Sequence, residues 1–316
     1  MIRRHELADG HALEIHDIGS GDGPTLAVLG GVHGDELEGV VAARMFAAHL
    51  NALPAGTLNG RVKVVPVSNP VAFASRTRTT VTDGANLARV FPGRADGTVT
   101  EQIAHLLTTE VIAGADLLVD LHSAGAKYEM PVFAGFVSDA PMGARSGEAT
   151  AAFGAPMVWE HSGSGPGRSM SAAEELGVAS VYVEGSGGGG LIGRDLDIYV
   201  DGLHRLLAWL GITSVKHTTP RPPLVLRGDD GNVDDSLACS VAGYCITRVR
   251  AGDVVQPGQV LADIVNDDGD PVEHIRSPRL GTVMMLRRHA EVQPAEGIAM
   301  LGPVPEGGSR AMKLPT

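Results

Sequence analysis

The sequence predicts an α/β fold, a largely parallel or mixed sheet flanked by helices, followed by a smaller all-β region. Three observations carry this expectation. Short apolar runs alternate with helix-period segments from residue 25 to about residue 210. A proline cluster, His217 to Pro223, then interrupts the pattern. Beyond it, brief strand-like runs are separated by the turn signals "GDDGN", "AGD", "NDDGD" and "SPRLG".

In order along the chain, "TLAVLG" reads as a buried strand and "ELEGVVAARMFAAHL" as the helix after it. "RVKVVPV" supplies the next strand, and "EQIAHLLTTEVI" a helix that leads into the strand "ADLLVDLH". "ELGVASVYVEG" ends in another buried strand, and "LDIYVDGLHRLLAWLG" closes the α/β part as a helix. After the prolines, "VVQPGQVLADI" is echoed by "EVQPAEGIAML", with Val-Gln-Pro at 255–257 and again at 292–294. Two similar β halves suit a small barrel-sandwich. The predicted division is therefore an α/β domain over residues 1–216 and a β domain over 224–316.

Composition limits the function. The 316 residues are 43% hydrophobic and 20% charged, which describes a globular protein with a large core. A formal net charge of −12 opposes nucleic-acid binding and leaves no basic face for a membrane. Cys239 and Cys245 lack paired metal spacing and read as reduced core residues. The first residues lack the apolar run of a signal peptide, and no stretch approaches ~20 apolar residues. A cytoplasmic, soluble protein acting on a small molecule is expected, and a homo-oligomer is compatible with all of this.

The chemistry starts in "GGVHGDELEG", Gly30 to Gly39, where a strand hands over to a helix. His33 and Glu36 are three residues apart, on one face of a turn, so imidazole and carboxylate can reach one ion. "ADLLVDLHS" ends in His122, and ligands of α/β sheets gather at the carboxyl ends of strands. Taken singly, His122 reads better as a core histidine and Glu36 as a helix-terminus acid. Together they favour a His₂Glu metal set with a coordination position left open. "VYVEGSGGGG" ends its apolar run in Glu184, a candidate general base. A phosphate loop is disfavoured there, since an acid opens the glycine run and no Lys-Ser/Thr follows. "SRTRTTVTDGANLARVFPG", Ser75 to Gly93, adds Arg76, Arg78 and Arg89, suited to a carboxylate or a developing oxyanion. Pairing of these arginines with Asp83 is the structural alternative.

In this order, "GGVHGDE", "SNPVAF", "DGANLARVFPG", "DLLVDLHSAG" and "VYVEGSGGG" resemble the succinylglutamate desuccinylase/aspartoacylase family of the zinc carboxypeptidase superfamily. The resemblance covers roughly residues 25–195. It implies a zinc-carboxypeptidase-like mixed sheet with a C-terminal β domain capping the active site. It further implies a zinc-dependent amidohydrolase (deacylase) for a small N-acyl amino acid, with one zinc ion per chain. By position, His33, Glu36 and His122 match the zinc ligands and Glu184 the base. Arg78, with Arg76 close enough to compete, matches the arginine on the scissile carbonyl, and Arg89 the one on the substrate carboxylate. Many members read Asn-Leu-Asn-Arg where this chain has Asn86-Leu87-Ala88-Arg89, so a substrate contact is missing and Asn86 is the candidate to replace it. That departure points away from acetylaspartate and succinylglutamate, toward a substrate such as an N-acetylated diamino acid. The rival activities are a carboxypeptidase on peptides and, further off, a non-catalytic binding protein. The β region also resembles biotinyl/lipoyl barrels. Covalent carriage is not expected, because no lysine lies between Lys216 and Lys313.

Overall fold

The computed structural model describes residues 1–7, 10–218 and 220–306. Lys313 and the carboxyl-terminal end of the predicted β domain therefore lie outside the described residues. The α/β part is one nine-stranded mixed sheet. Its strands are β1 (Ile2–Glu6), β2 (Ala12–Ser20), β3 (Thr25–Gly30), β4 (Gly60–Val65) and β5 (Leu117–Ser123), then, after the two-residue β6 (Tyr128–Glu129), β7 (Phe133–Val137), β8 (Met157–His161), β9 (Ala179–Gly185) and β10 (Leu224–Arg227). The spatial order is β1-β2-β4-β3-β5-β9-β7-β8-β10. The central strands β4, β3, β5 and β9 run parallel.

Alternation of side chains divides the core into two layers. On β3, Leu26 and Val28 pack on one face, against helices α1 (Leu37–Asn51), α4 (Gly143–Phe153) and α6 (Gly193–Trp209). Ala27 and Leu29 pack on the other face, with Ile103 and Ala104 of α3 (Val99–Leu106) and Ala172 and Ala173 of α5 (Ser169–Glu175). Covered on both faces, β5 has all seven residues buried. That explains why it reads as a continuous apolar run, and why its polar members Asp120 and His122 need partners inside the protein.

Among its described residues the proline cluster carries no regular element, but the strand after it, β10, pairs parallel to β8 and extends the large sheet. Leu226, buried beside Trp159 and Met157, supplies the apolar reason. Two small antiparallel sheets follow from Leu237. The Val-Gln-Pro repeat marks equivalent places in them: Val254–Val255 and Glu291–Val292 are two-residue strands, each leading through a turn into a longer strand, Val260–Val265 or Gly297–Gly302. The turns differ at two residues, Gly258 against Ala295 and Gln259 against Glu296. Gly258 has φ +80° and its counterpart Ala295 has φ +71°, where an L side chain crowds its own backbone. Ala295→Gly is expected to stabilise the protein by about 0.5 kcal/mol, relief of the left-handed strain outweighing the extra freedom of the unfolded chain. An unchanged or lower urea midpoint would show that the turn is not strained. Among the described residues, no helix is long and apolar enough to cross a membrane.

Candidate active site

Three neighbouring parallel strands, β3, β5 and β9, end at the same edge of the sheet. β5 and β9 are in register, with His122 opposite Glu184. β3 runs out at Gly30, and the turn that follows carries His33 and Glu36 before α1 begins at Leu37. Small residues make this turn possible. A Cβ on Gly34 would meet the Ala72 backbone at 2.1 Å, and one on Gly39 would meet the Leu121 carbonyl oxygen at 2.3 Å. The turn therefore lies directly on helix α2 (Pro70–Ser75), and the first turn of α1 lies directly on β5.

These approaches bring His33, Glu36 and His122 together in a buried cluster whose donor atoms all lie within 4.8 Å of one another. His33 Nδ1 is 2.7 Å from Glu36 Oε1, and His122 Nδ1 is 2.9 Å from Glu36 Oε2. The outward nitrogens are held as well. His33 Nε2 is 3.1 Å from Asn86 Oδ1, and His122 Nε2 is 3.1 Å from Asp120 Oδ2, which in turn accepts from Ser169 Oγ. Two imidazoles turned by outer partners toward one carboxylate make the N₂O donor set of an open divalent-metal site, so the residues fit such an ion.

Glu184 stands beside this cluster, half-buried, with its Oε2 atom buried and lacking a hydrogen-bond partner among the described residues. Burial pushes its carboxyl up to about 8, while the positive charges of His122 and Arg78 pull it down. A cation held by the three ligands would add to that downward pull and favour the carboxylate. Arg78 Nη1 donates to Glu36 Oε1 at 3.0 Å, and its side chain borders both cavities of the site. Arg76 is spent elsewhere: its guanidinium lies 3.9 Å over the Phe73 ring and donates to the Phe73 carbonyl oxygen. Asp83 accepts from Thr100 and Ala85, not from the arginines.

Arg89 lines the inner cleft, and its Nη2 donates to Asp234 Oδ2 at 3.0 Å. Asn86 does not line either cavity. Its Oδ1 caps the short turn Leu87–Arg89 by accepting from Ala88 N at 2.9 Å and faces His33. The third acid of the opening motif, Glu38, links two loops, accepting from Ser123 Oγ at 2.6 Å and from Gly187 N at 2.9 Å. An outer cavity of about 690 Å³ adjoins the cleft and is bordered by residues from both ends of the chain, among them Asp35, Arg76, Lys127 and Asp234.

Three cleft residues escape the sequence reading. Asp120 and Tyr182 sit two residues before His122 and Glu184 on β5 and β9, so strand alternation alone places them on the same face; parity was the available signal. Arg168 precedes α5 in a glycine-rich loop and had no such signal. Its partly buried guanidinium lines the cleft with Nε unpartnered among the described residues. Burial lowers its pKa, and the neighbouring Arg89 lowers it further.

Comparison with known proteins bears on the family and the fold. Residues 22–210 match the succinylglutamate desuccinylase/aspartoacylase catalytic domain. The chain is 33% identical over 294 residues to an N-alpha-acetyl-L-2,4-diaminobutyric acid deacetylase of Halomonas elongata, covering 90% of this chain and 84% of that protein. Among solved structures, a succinylglutamate desuccinylase from Silicibacter sp. TM1040 superposes with a TM-score of 0.85 at 29% identity, over 96% of this chain and 93% of the other. The product-bound ectoine utilization protein EutE (DoeB) of Ruegeria pomeroyi gives a TM-score of 0.84 at 30% identity, with the same coverage.

Proposed function

This chain belongs to the succinylglutamate desuccinylase/aspartoacylase family, and from that membership we propose that it is a zinc-dependent deacylase of a small N-acyl amino acid. The observation that carries the reading is Glu184: a half-buried carboxylate with one buried oxygen unpartnered among the described residues, beside a His₂Glu cluster, at the ends of three adjacent strands. His33, Glu36 and His122 would hold the zinc, which would supply Lewis acidity toward the amide carbonyl and toward water.

The protein's own groups do the rest. Asp120 and Asn86 hold the two imidazoles with Nδ1 facing inward. Glu184 takes the proton from the attacking water and passes it to the departing amine. Arg78 faces the carbonyl oxygen and opposes the negative charge that grows there. Arg89, with Arg168 beside it, receives the substrate carboxylate. Asn86 acts through His33 and not on the substrate.

Gly231, Val233 and Met300, all beyond the proline cluster, wall the inner cleft, which supports a capping role for the β region and a small substrate. The test is a panel of N-acyl amino acids and of peptides with free carboxyl termini, offered to the zinc-loaded protein. Turnover of N-acetylated amino acids, Nα-acetyl-L-2,4-diaminobutyrate included, well above that of peptides is expected. Cleavage confined to peptides would make the protein a carboxypeptidase, and cleavage of neither would remove the enzymatic reading.

A further inference from the structure

Arg89, the residue assigned to the substrate carboxylate, already holds a carboxylate: that of Asp234. Asp234 belongs to the short helical turn Val233–Asp235 at the mouth of the cleft. Its presentation is braced. Asn232 Oδ1 accepts from Asp234 N at 3.3 Å, and Asn232 Nδ2 donates to Asp235 Oδ2 at 3.3 Å. Upstream, Trp159 Nε1 donates to the Gly228 carbonyl oxygen at 2.9 Å, and Arg279 pairs with Asp229 at 3.3 Å. Val233, the preceding residue, borders both the inner cleft and the outer cavity. The cleft thus presents three guanidiniums, of Arg78, Arg89 and Arg168; Asp234 at its entrance pairs with Arg89, and exposed Asp230 acts on Arg168.

A substrate carboxylate that reaches Arg89 competes with Asp234. If the substrate carries no cation, Asp234 is left unpaired a few ångströms from a like charge. If its side chain ends in an ammonium close to the carboxylate, partners are exchanged: carboxylate to Arg89, ammonium to Asp234. Every charge then keeps a counter-charge. We infer that Asp234 is a specificity-determining residue that selects N-acyl amino acids whose side chain carries a free ammonium group. The inference rests on the deacylase reading for the identity of the occupant, but not for the pairing itself.

The experiment measures binding and turnover separately. Calorimetry on the zinc-loaded full chain compares L-2,4-diaminobutyrate with L-2-aminobutyrate, which has the same four-carbon skeleton without the side-chain amine. Kinetics compares their Nα-acetyl derivatives. About a tenfold preference for the diamino compounds is expected, the scale of one charge-assisted contact at a partly exposed site. In Asp234→Asn the preference should collapse toward unity, with the aminobutyrate compounds gaining because Arg89 is released. Asp234→Glu should keep part of the preference, and Asp235→Asn, which removes a neighbouring charge, should keep nearly all of it. Equal binding of the two amino acids to the unaltered protein, or a preference that survives Asp234→Asn, overturns the inference. Selective binding without hydrolysis of either acetyl derivative supports the role of Asp234 and sinks the deacylase reading instead.

Discussion

Glu184→Gln should lower kcat by at least ~10²-fold, the usual scale for loss of a general base, while metal content stays at the level of the unaltered protein. The substitution is nearly isosteric, and Oε2 of Glu184 makes no hydrogen bond among the described residues that the amide would lose. Stability should change little or rise, because a neutral amide is easier to bury than a carboxylate. That combination separates the base from the scaffold: a structural carboxylate would give lower stability and near-normal turnover. Near-normal activity in a stable Glu184→Gln protein means that another group takes the proton.

His122→Ala is the second large effect. It removes one of three ligands and takes one contact each from Glu36 Oε2, which keeps Ser123 N, and Asp120 Oδ2, which keeps Ser169 Oγ. Metal affinity should fall by well over ~10²-fold, beyond the loss typical of an outer partner, and activity should fall with it. Asp120→Asn gives the graded comparison, since it disturbs only the far side of the same imidazole and should cost roughly 10- to 100-fold in affinity. Elemental analysis after dialysis against a weak chelator reads both. Thermal melts read them independently, because an ion that binds only the folded chain raises its stability by mass action. A full metal complement in His122→Ala would show that the ion sits elsewhere.

The α/β order, the strand-end placement of His33, His122 and Glu184, and the texture change after the prolines were legible because each depends on local pattern. An apolar run of fixed length, a polar residue at its end and a glycine after it are all visible in one dimension. What was not legible depends on contacts between distant segments. That Arg76 lies on Phe73 while Arg78 reaches Glu36 is decided by the left-handed backbone at Arg76, which turns two nearby arginines in different directions. That Arg89 meets Asp234 depends on the path of a chain 145 residues further on. Asp120 and Tyr182 lie between these cases, since period-two alternation from their neighbours was enough to place them.

Between His122 and β7 lies β6, the two residues Tyr128–Glu129. They pair with Gly281–Arg287 of the β region, so the loop that leaves His122 is stitched into the sheet at the other end of the chain. Behind that stitch, Met130, Phe133 and Trp159 share a buried cluster with Met284, Met285 and Met300. Unbranched thioethers fill irregular gaps without fixing one geometry. In terms of heredity and engineering, this seam is a poor place to cut. A fragment ending at the prolines would expose an apolar face and lose the strand that steadies the His122 loop, so neither half is a module that can be exchanged without its counterpart.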